Sequence, residues 1–150
     1  MTTLADCIRH KHTVPALMTH VVAGFPSIEE SKQIVRMMDA NGADVIEIQI
    51  PFSDPVADGP TMQRCNELAL ERGFKVADAM AMARELSPEV EAPLLFMTYY
   101  NIIFKYGVDK FCAAAKAAGI QGVIVPDMPL EEELHEHFLQ ACRTHKLAWV

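Results

Sequence analysis

A glutamate and two aspartates stand within twelve residues of one another and could carry out acid–base chemistry. Glu47 lies in the run DVIEIQI over residues 44–50. If this run is a strand, its side chains alternate, so Glu47 and Gln49 share one face and the three isoleucines share the other. A carboxylate in a mostly apolar interior is costly to desolvate, and it acquires a raised pKa or a charged partner, either of which suits a general acid or base. On spacing alone, the alternative is a hydrogen-bonded or hydrated glutamate at a strand end.

The two aspartates lie in the next ten residues, PFSDPVADGP over residues 51–60. Three prolines and a glycine restrict the conformations open to this segment, so the backbone holds Asp54 and Asp58 with few alternatives. The segment is therefore a candidate for positioning catalytic carboxylates. The alternative is an acidic surface loop in which the aspartates only form turns.

Strands that alternate with helices must position these carboxyl groups. Apolar runs predict strands over residues 17–22, 44–50, 93–99, 123–125 and 147–150. Helical spacing of apolar residues predicts helices over residues 28–38, 62–70, 76–86, 108–118 and 130–142, the first with a capping box at Ser27 and Glu30. This alternation predicts an α/β fold with a parallel sheet, whose active site lies at the carboxyl ends of the strands. Periodicity alone leaves a barrel and a doubly wound sheet both open.

The composition limits the class of protein. The chain has 150 residues, of which 51% are hydrophobic and 22% are charged, and these values predict one globular domain over residues 1–150. Thirteen basic against twenty acidic residues give a net charge of −7, so we expect no nucleic-acid partner and no anionic membrane surface as a partner. No apolar run approaches the ~20 residues of a membrane span. The four cysteines are scattered singly, and His135 and His137 point to different faces of a helix, so we expect a reducing cytoplasm and no metal.

Residues 44–60, DVIEIQIPFSDPVADGP, closely resemble the signature of the tryptophan synthase alpha chain family, which are TIM-barrel lyases. Three further segments agree in order and spacing: AGFP at residues 23–26, YYNIIF at 99–104 and VPDMPLEE at 125–132. The resemblance implies a TIM (β/α)8 barrel, of which this chain supplies roughly strands 1 to 5. A closed barrel needs ~250 residues. We therefore expect the carboxyl-terminal part of the barrel to be absent from this sequence, and the 150-residue chain alone to be inactive.

The resemblance also implies a reaction, the retro-aldol cleavage of indole-3-glycerol phosphate to indole and glyceraldehyde 3-phosphate in tryptophan biosynthesis. Glu47 aligns with the family's acid/base glutamate, and Asp58 with its aspartate near the indole nitrogen. One carboxyl kept near neutral pKa by the barrel interior and one kept ionised by polar surroundings would divide the roles between them. The resemblance implies no cofactor in this chain.

Two further residues match the family's substrate pocket. Tyr99 matches a pocket tyrosine, although an aromatic residue that caps the barrel layer is an alternative interpretation. His20 falls where relatives more often carry an aromatic residue that lines the indole pocket, and Gln49 falls where many carry glycine. Both departures place the shape of the pocket and the choice of substrate in question.

The resemblance extends to a partner protein. Asp54, Asn101 and Pro129 match loop positions that face the family's beta chain, a pyridoxal-phosphate protein that receives indole, in a heterotetramer. Two alternatives to the lyase stay open at this point. One is a non-catalytic truncated homologue that acts as an interaction module for a beta chain. The other is a different phosphate-binding barrel enzyme with an indole-free substrate.

Overall fold

The computed structural model describes residue 4 and residues 15–128 and 137–150. Their strands are β1 (Met18–Val22), β2 (Val45–Gln49), β3 (Leu94–Met97), β4 (Gly122–Ile124) and β5 (Ala148–Trp149). Their helices are α1 (Ile28–Ala40), α2 (Pro60–Glu71), α3 (Val76–Leu86), α4 (Tyr100–Tyr106), α5 (Val108–Ala117) and α6 (Phe138–Thr144). The predicted α/β alternation is confirmed.

The five strands form one parallel sheet in the order β1-β2-β3-β4-β5. A doubly wound sheet reverses its strand order at a switch point, whereas a barrel adds each strand beside the one before it. Right-handed crossovers between consecutive parallel strands also place the helices on one side of the sheet. The uninterrupted order therefore favours the barrel over the doubly wound sheet, the two arrangements that periodicity leaves open.

The two faces of β2 differ as its alternation predicts. Ile46, Ile48 and Ile50 are at most 1% exposed and belong to the main core, together with helix residues such as Val35 and Phe111. Glu47 and Gln49 project from the other face, on which His20 of β1 lies opposite Glu47. The isoleucine face thus packs against the helices, and the polar face is free to form a site.

Local signals set most of the element ends. The Ser27 hydroxyl accepts the backbone N–H of Glu30 at 3.2 Å and caps α1. One element is not anticipated by the sequence reading: residues 100–106, quoted above only as part of a family segment, form the short helix α4. Gly107, with φ +92°, ends α4 and precedes α5, and this backbone conformation favours glycine. Of the helix predicted over residues 130–142, positions 130–136 lie outside the described residues.

The described part of the chain contains no helix that is both long and apolar enough to cross a membrane. Within those same residues, no group of three or more histidine, cysteine or acidic side chains is placed to hold a metal ion. His135, considered above as a weak metal ligand, lies outside them. Cys65, Cys112 and Cys142 are free thiols.

Candidate active site

The site lies where β1 and β2 run side by side. His20 is the register partner of Glu47, and Val22 is the register partner of Gln49. Because residues two apart share a face, the parallel register brings His20, Glu47 and Gln49 together on the side away from the isoleucines. The side chain of Glu47 is 12% exposed and that of His20 is 31% exposed. Glu47 is thus largely withdrawn from water, as its position in the strand predicts.

His20 is the ionisable partner of Glu47. Its Nδ1 lies 2.9 Å from Oε1 of Glu47, and its Nε2 lies 2.8 Å from Oε1 of Gln49. Of the two responses to burial expected of Glu47, a charged partner is available when His20 is protonated. The partner comes from the neighbouring strand, 27 residues away in the chain.

The protonation of His20 follows from opposing effects. Burial favours the neutral ring and so lowers the pKa of His20, but the hydrogen bond to Glu47, the charge of Glu47, the bond to Gln49 and the charge of Asp58 all raise it. The four favourable contributions prevail together, so the pKa of His20 lies above its usual value. The imidazole is therefore a cation over a wider pH range than a histidine in water.

Asp58, the second predicted catalytic residue, belongs to the same group of side chains. Its Oδ2 accepts a hydrogen bond from Nε2 of Gln49 at 2.6 Å and another from Nδ2 of Asn66 at 3.2 Å. Its backbone N–H donates to the carbonyl of Pro55 at 3.0 Å, which closes a turn in the loop. The turn in the proline-rich segment therefore restrains the backbone of Asp58, and two amides from outside the segment hold its carboxylate.

Tyr99 lies beneath the same loop and is fully buried. Its hydroxyl accepts the backbone N–H of Ala57, the neighbour of Asp58, at 3.1 Å. Its ring stacks on Phe52, with ring centroids 5.0 Å apart. Burial is the main cause that raises the pKa of this phenol. Full burial and the stacking on Phe52 fit the alternative interpretation of Tyr99, an aromatic residue that caps the barrel layer, and contact with a substrate stays a prediction.

Two polar residues complete the arrangement and were not predicted as site residues. The sequence pattern places Gln49 on the face of Glu47 and marks it as a departure from the family, but assigns it no role, and it does not identify Asn66. Asn66 is fully buried on α2 and also accepts the backbone N–H of Phe52 through Oδ1 at 3.1 Å. A sequence signal for it exists, because Asn66 is a polar residue at helical spacing between Met62 and Ala69, on an otherwise apolar stripe.

Together these contacts form a continuous line of hydrogen bonds, from Glu47 through His20 and Gln49 to Asp58 and Asn66. One carboxylate is paired with an imidazole and the other with two amides. An imidazole can exchange a proton with its carboxylate, whereas an amide can only hold a carboxylate in place. Glu47 is therefore suited to proton transfer, and Asp58 is suited to stabilising positive charge on a ligand.

Two of the three residues predicted to face a partner, Asp54 and Asn101, lie at the same end of the sheet. Asp54 and Asn101 are exposed. Asn101 and Ser53, the neighbour of Asp54, line one surface groove of about 360 Å³. The helix that carries Asn101 is tied to the loop after β4, because the backbone N–H of Tyr100 donates to Oδ1 of Asp127 at 2.8 Å. Pro129, the third predicted interface residue, lies outside the described residues.

Comparison with known proteins adds independent findings. Residues 6–150 match the family model described as "Tryptophan synthase alpha chain". A tryptophan synthase alpha chain from Desulfotalea psychrophila is 47% identical over 132 residues, which are 88% of this chain and 51% of that protein. Another from Rippkaea orientalis is 46% identical over 134 residues, covering 88% and 50% of the two chains.

A solved structure supports the same fold. The tryptophan synthase subunit alpha from Legionella pneumophila superposes with a TM-score of 0.92 at 32% identity, over 99% of this chain and 57% of that one. The five strands described here therefore match part of a TIM barrel, and the predicted fold class is confirmed. The chain spans about half the length of the curated relatives it matches.

Proposed function

Because the chain belongs to the tryptophan synthase alpha chain family, we propose that the protein is a carbon–carbon lyase that cleaves indole-3-glycerol phosphate to indole and glyceraldehyde 3-phosphate. The observation that carries this proposal is the line of hydrogen bonds that joins Glu47 to Asp58 beside the carboxyl end of β2. It brings a proton-transferring carboxyl and a charge-stabilising carboxylate into one site, and a retro-aldol reaction needs both.

The reaction makes three demands on the site. Indole C3 must gain a proton so that indole becomes a leaving group, and the ring nitrogen becomes positively charged when that happens. The hydroxyl on the carbon bonded to indole must lose its proton to become the aldehyde. The bond between that carbon and indole C3 then breaks, and its electrons return to the indole ring. No oxidant, reductant or cofactor enters this balance.

We assign the proton transfers to Glu47. A carboxyl group can give a proton to C3 and accept one from the hydroxyl, so one residue serves both ends of the breaking bond. The pairing of its Oε1 with His20 supports this assignment, because the imidazole supplies an adjacent donor within 2.9 Å. Glu47 is the predicted residue whose loss should be most damaging.

We assign the stabilisation of the ring nitrogen to Asp58. The amides of Gln49 and Asn66 hold its Oδ2, and the Tyr99 hydroxyl holds the loop by accepting the backbone N–H of Ala57. A carboxylate held in this way needs no reorganisation when positive charge develops on the ligand. In our proposal, Tyr99 affects the substrate indirectly, by positioning this loop. His20, whose side chain is 31% exposed, forms part of the wall of the pocket.

The experiment that tests the lyase is an indole-release assay on the intact natural protein with indole-3-glycerol phosphate. We expect Glu47→Gln to lower turnover by about 10²- to 10⁴-fold with substrate binding largely kept, because the change removes a proton-transfer group and little volume. Asp58→Asn should be almost as damaging. Glu91→Gln is the matched control, because it makes the same chemical change at an exposed position away from the site.

Two results would contradict the assignments. Turnover of Glu47→Gln within a few-fold of the parent would remove Glu47 from the proton transfers. Absence of indole release from the parent protein, under conditions in which it is folded, would reject the lyase itself. In that case two interpretations are left, a non-catalytic interaction module for a beta chain and a barrel enzyme with an indole-free phosphate substrate.

We propose further that Asp54, Asn101 and Pro129 belong to the surface that docks a pyridoxal-phosphate beta chain, which receives the indole. The exposure of Asp54 and the groove beside Asn101 support this proposal. A double variant, Asp54→Ala with Asn101→Ala, should weaken association with a tryptophan synthase beta chain in sedimentation, and Glu91→Gln should not. Equal association of the parent, the double variant and Glu91→Gln would reject this surface.

We also propose a reducing, cytoplasmic location for the protein, with which the thiols of Cys65, Cys112 and Cys142 agree.

One observation favours a second candidate, a barrel enzyme that takes a phosphate ester without indole. The His20–Gln49 pair places hydrogen-bonding groups in the pocket where the family more often has an aromatic residue and glycine. A polar wall recognises a polar group better than an indole ring. Assays with indole-3-glycerol phosphate and with indole-free phosphate esters separate the two candidate functions. The lyase should turn over only indole-3-glycerol phosphate, and the second candidate only the indole-free esters.

A further inference from the structure

His20 stands between the Glu47 carboxyl and the amide oxygen of Gln49, which are both hydrogen-bond acceptors when Glu47 is ionised. Nδ1 faces a carboxylate oxygen of Glu47 and Nε2 faces the amide oxygen of Gln49. A neutral imidazole has one N–H and one lone pair, so it can donate to only one of these oxygens. The imidazolium has two N–H groups and satisfies both. With Glu47 ionised, the distances at both ring nitrogens therefore fit the cation.

The Gln49 amide is oriented by its two hydrogen-bond partners, His20 and Asp58. A glutamine that turned its amide by half a rotation would offer His20 an N–H instead of an oxygen. Here the other end of the amide is engaged, because Nε2 donates to Oδ2 of Asp58 at 2.6 Å. Turning the amide would set its oxygen against that carboxylate. Asp58 thus holds Gln49, and Gln49 presents an acceptor to His20.

Burial and charge agree with the geometry. Gln49 is fully buried, so a hydrogen bond lost there is not simply replaced by water. The charged groups that face His20 within the described residues are Glu47 on the neighbouring strand and Asp58 on the loop that follows it, both acidic. The pKa of His20 is raised by these partners against the opposing effect of burial.

We propose that protonated His20 is a positioning residue for both carboxyl groups, holding Glu47 directly through Nδ1 and Asp58 indirectly through Nε2 and Gln49. Loss of the proton leaves one N–H for two acceptors, so either Glu47 or the Gln49–Asp58 pair loses its anchor. The site would then be ordered for reaction only while His20 is charged. The kinetic consequence depends on the lyase proposed above, whereas the protonation state does not.

The first test measures the titration midpoint of His20 by NMR, with ¹³C-labelled histidine rings in the intact natural protein. The His20 signal is assigned as the one that His20→Gln lacks. We expect a titration midpoint above that of histidine in an unstructured peptide. Glu47→Gln should lower the midpoint because it removes the adjacent negative charge, and Glu91→Gln should leave it unchanged. A midpoint at or below the peptide value, or one unaffected by Glu47→Gln, would overturn the proposal.

The second test is the pH profile of indole release. The parent should lose kcat as pH rises through the His20 midpoint measured by NMR. His20→Phe should lower kcat by about 10- to 100-fold, with a smaller change in KM, because the carboxyls lose their anchor. His20→Gln should recover part of kcat, since an amide N–H can donate to one acceptor, and should lack the alkaline decline. An alkaline decline kept at the same pH in His20→Gln would overturn the positioning role.

The two tests separate the failure of this inference from the failure of the lyase proposal. A parent protein that releases no indole but shows the raised, Glu47-dependent midpoint would refute the lyase and support the charged His20. A parent that releases indole but shows no raised midpoint would support the lyase and refute the role of His20. Retained amide NMR spectra in the variants show that folding is intact.

Discussion

Ile48 and Gln49 are neighbours in β2, and both are completely buried, yet they are held by different forces. Ile48 packs in the core between the sheet and the helices, in a cluster made of side chains from every strand except β5 and from several helices. Gln49 lies on the opposite face and is held by hydrogen bonds to His20 and Asp58. One residue contributes through apolar contact from all sides, the other through two directed bonds.

The contrast extends to the groups that surround these two residues. The apolar face is redundant, because each side chain has many neighbours and each contact contributes only a little. The polar face is not redundant, because each bond in the line from Glu47 to Asn66 has a single donor and a single acceptor. The apolar face therefore determines whether the chain folds, and the polar face determines what the folded site can do.

Breaking the apolar face should have the largest effect on stability. Ile48→Ala removes three buried carbon atoms from a closely packed core, and we expect the free energy of unfolding to fall by about 2–5 kcal/mol. The measurement is a urea titration of the natural protein followed by circular dichroism. Met37→Ala is the control, since Met37 is 64% exposed and its truncation should change little. A loss below about 1 kcal/mol for Ile48→Ala would show that the core tolerates the cavity.

Breaking the polar face one residue later should cost less. Gln49→Leu keeps the volume of the side chain but removes its bonds to His20 and Asp58, and we expect a loss of about 1–3 kcal/mol in the free energy of unfolding. Water can reach the partly exposed His20 and so limits the cost. The relative loss of indole-release activity should exceed the relative loss of unfolding free energy, because Asp58 loses one of its two amide hydrogen-bond donors. A variant as destabilised as Ile48→Ala would contradict the contrast between the faces.

The sequence predicted the apolar face better than the polar one, and the reason is the range of the information. The alternation in residues 44–50 assigns every side chain of β2 to a face, and Ser27 with Glu30 marks the start of α1. Both signals lie within a few residues. The pairing of His20 with Glu47 depends instead on the register between two strands, 27 residues apart in the chain. Periodicity places each residue on a face but says nothing about register.

The unpredicted parts of the molecule have similar causes. Asn66 acts on Asp58 and Phe52 only because the proline-rich loop turns back over α2. Helix α4 has seven residues, too few for a clear apolar period, and it ends at Gly107 where α5 begins. The resemblance to a family supplied Glu47 and Asp58 together, but the partners that hold them follow from the three-dimensional arrangement.

The smallest effect that we predict is a dependence of stability on pH that comes from His20 alone. The pKa of His20 is higher in the folded protein than in the unfolded chain, so protonation of the ring stabilises the folded state. Its contribution is fully present below the unfolded value of about 6.5, and it is lost as pH rises through the raised folded value. Urea titrations at several pH values from 5 to 9 measure it.

The difference between the parent and His20→Gln isolates this contribution, because the other titrating groups are common to both proteins. The parent should lose stability relative to the variant as pH rises from 6 to 9, and the two should run parallel below pH 6. Parallel behaviour over the entire range would mean that the bonds to Glu47 and Gln49 do not depend on the charge of His20. The side chains of the polar face would then be held by packing, as those of the apolar face are. The two faces would differ only in the types of residue that form them.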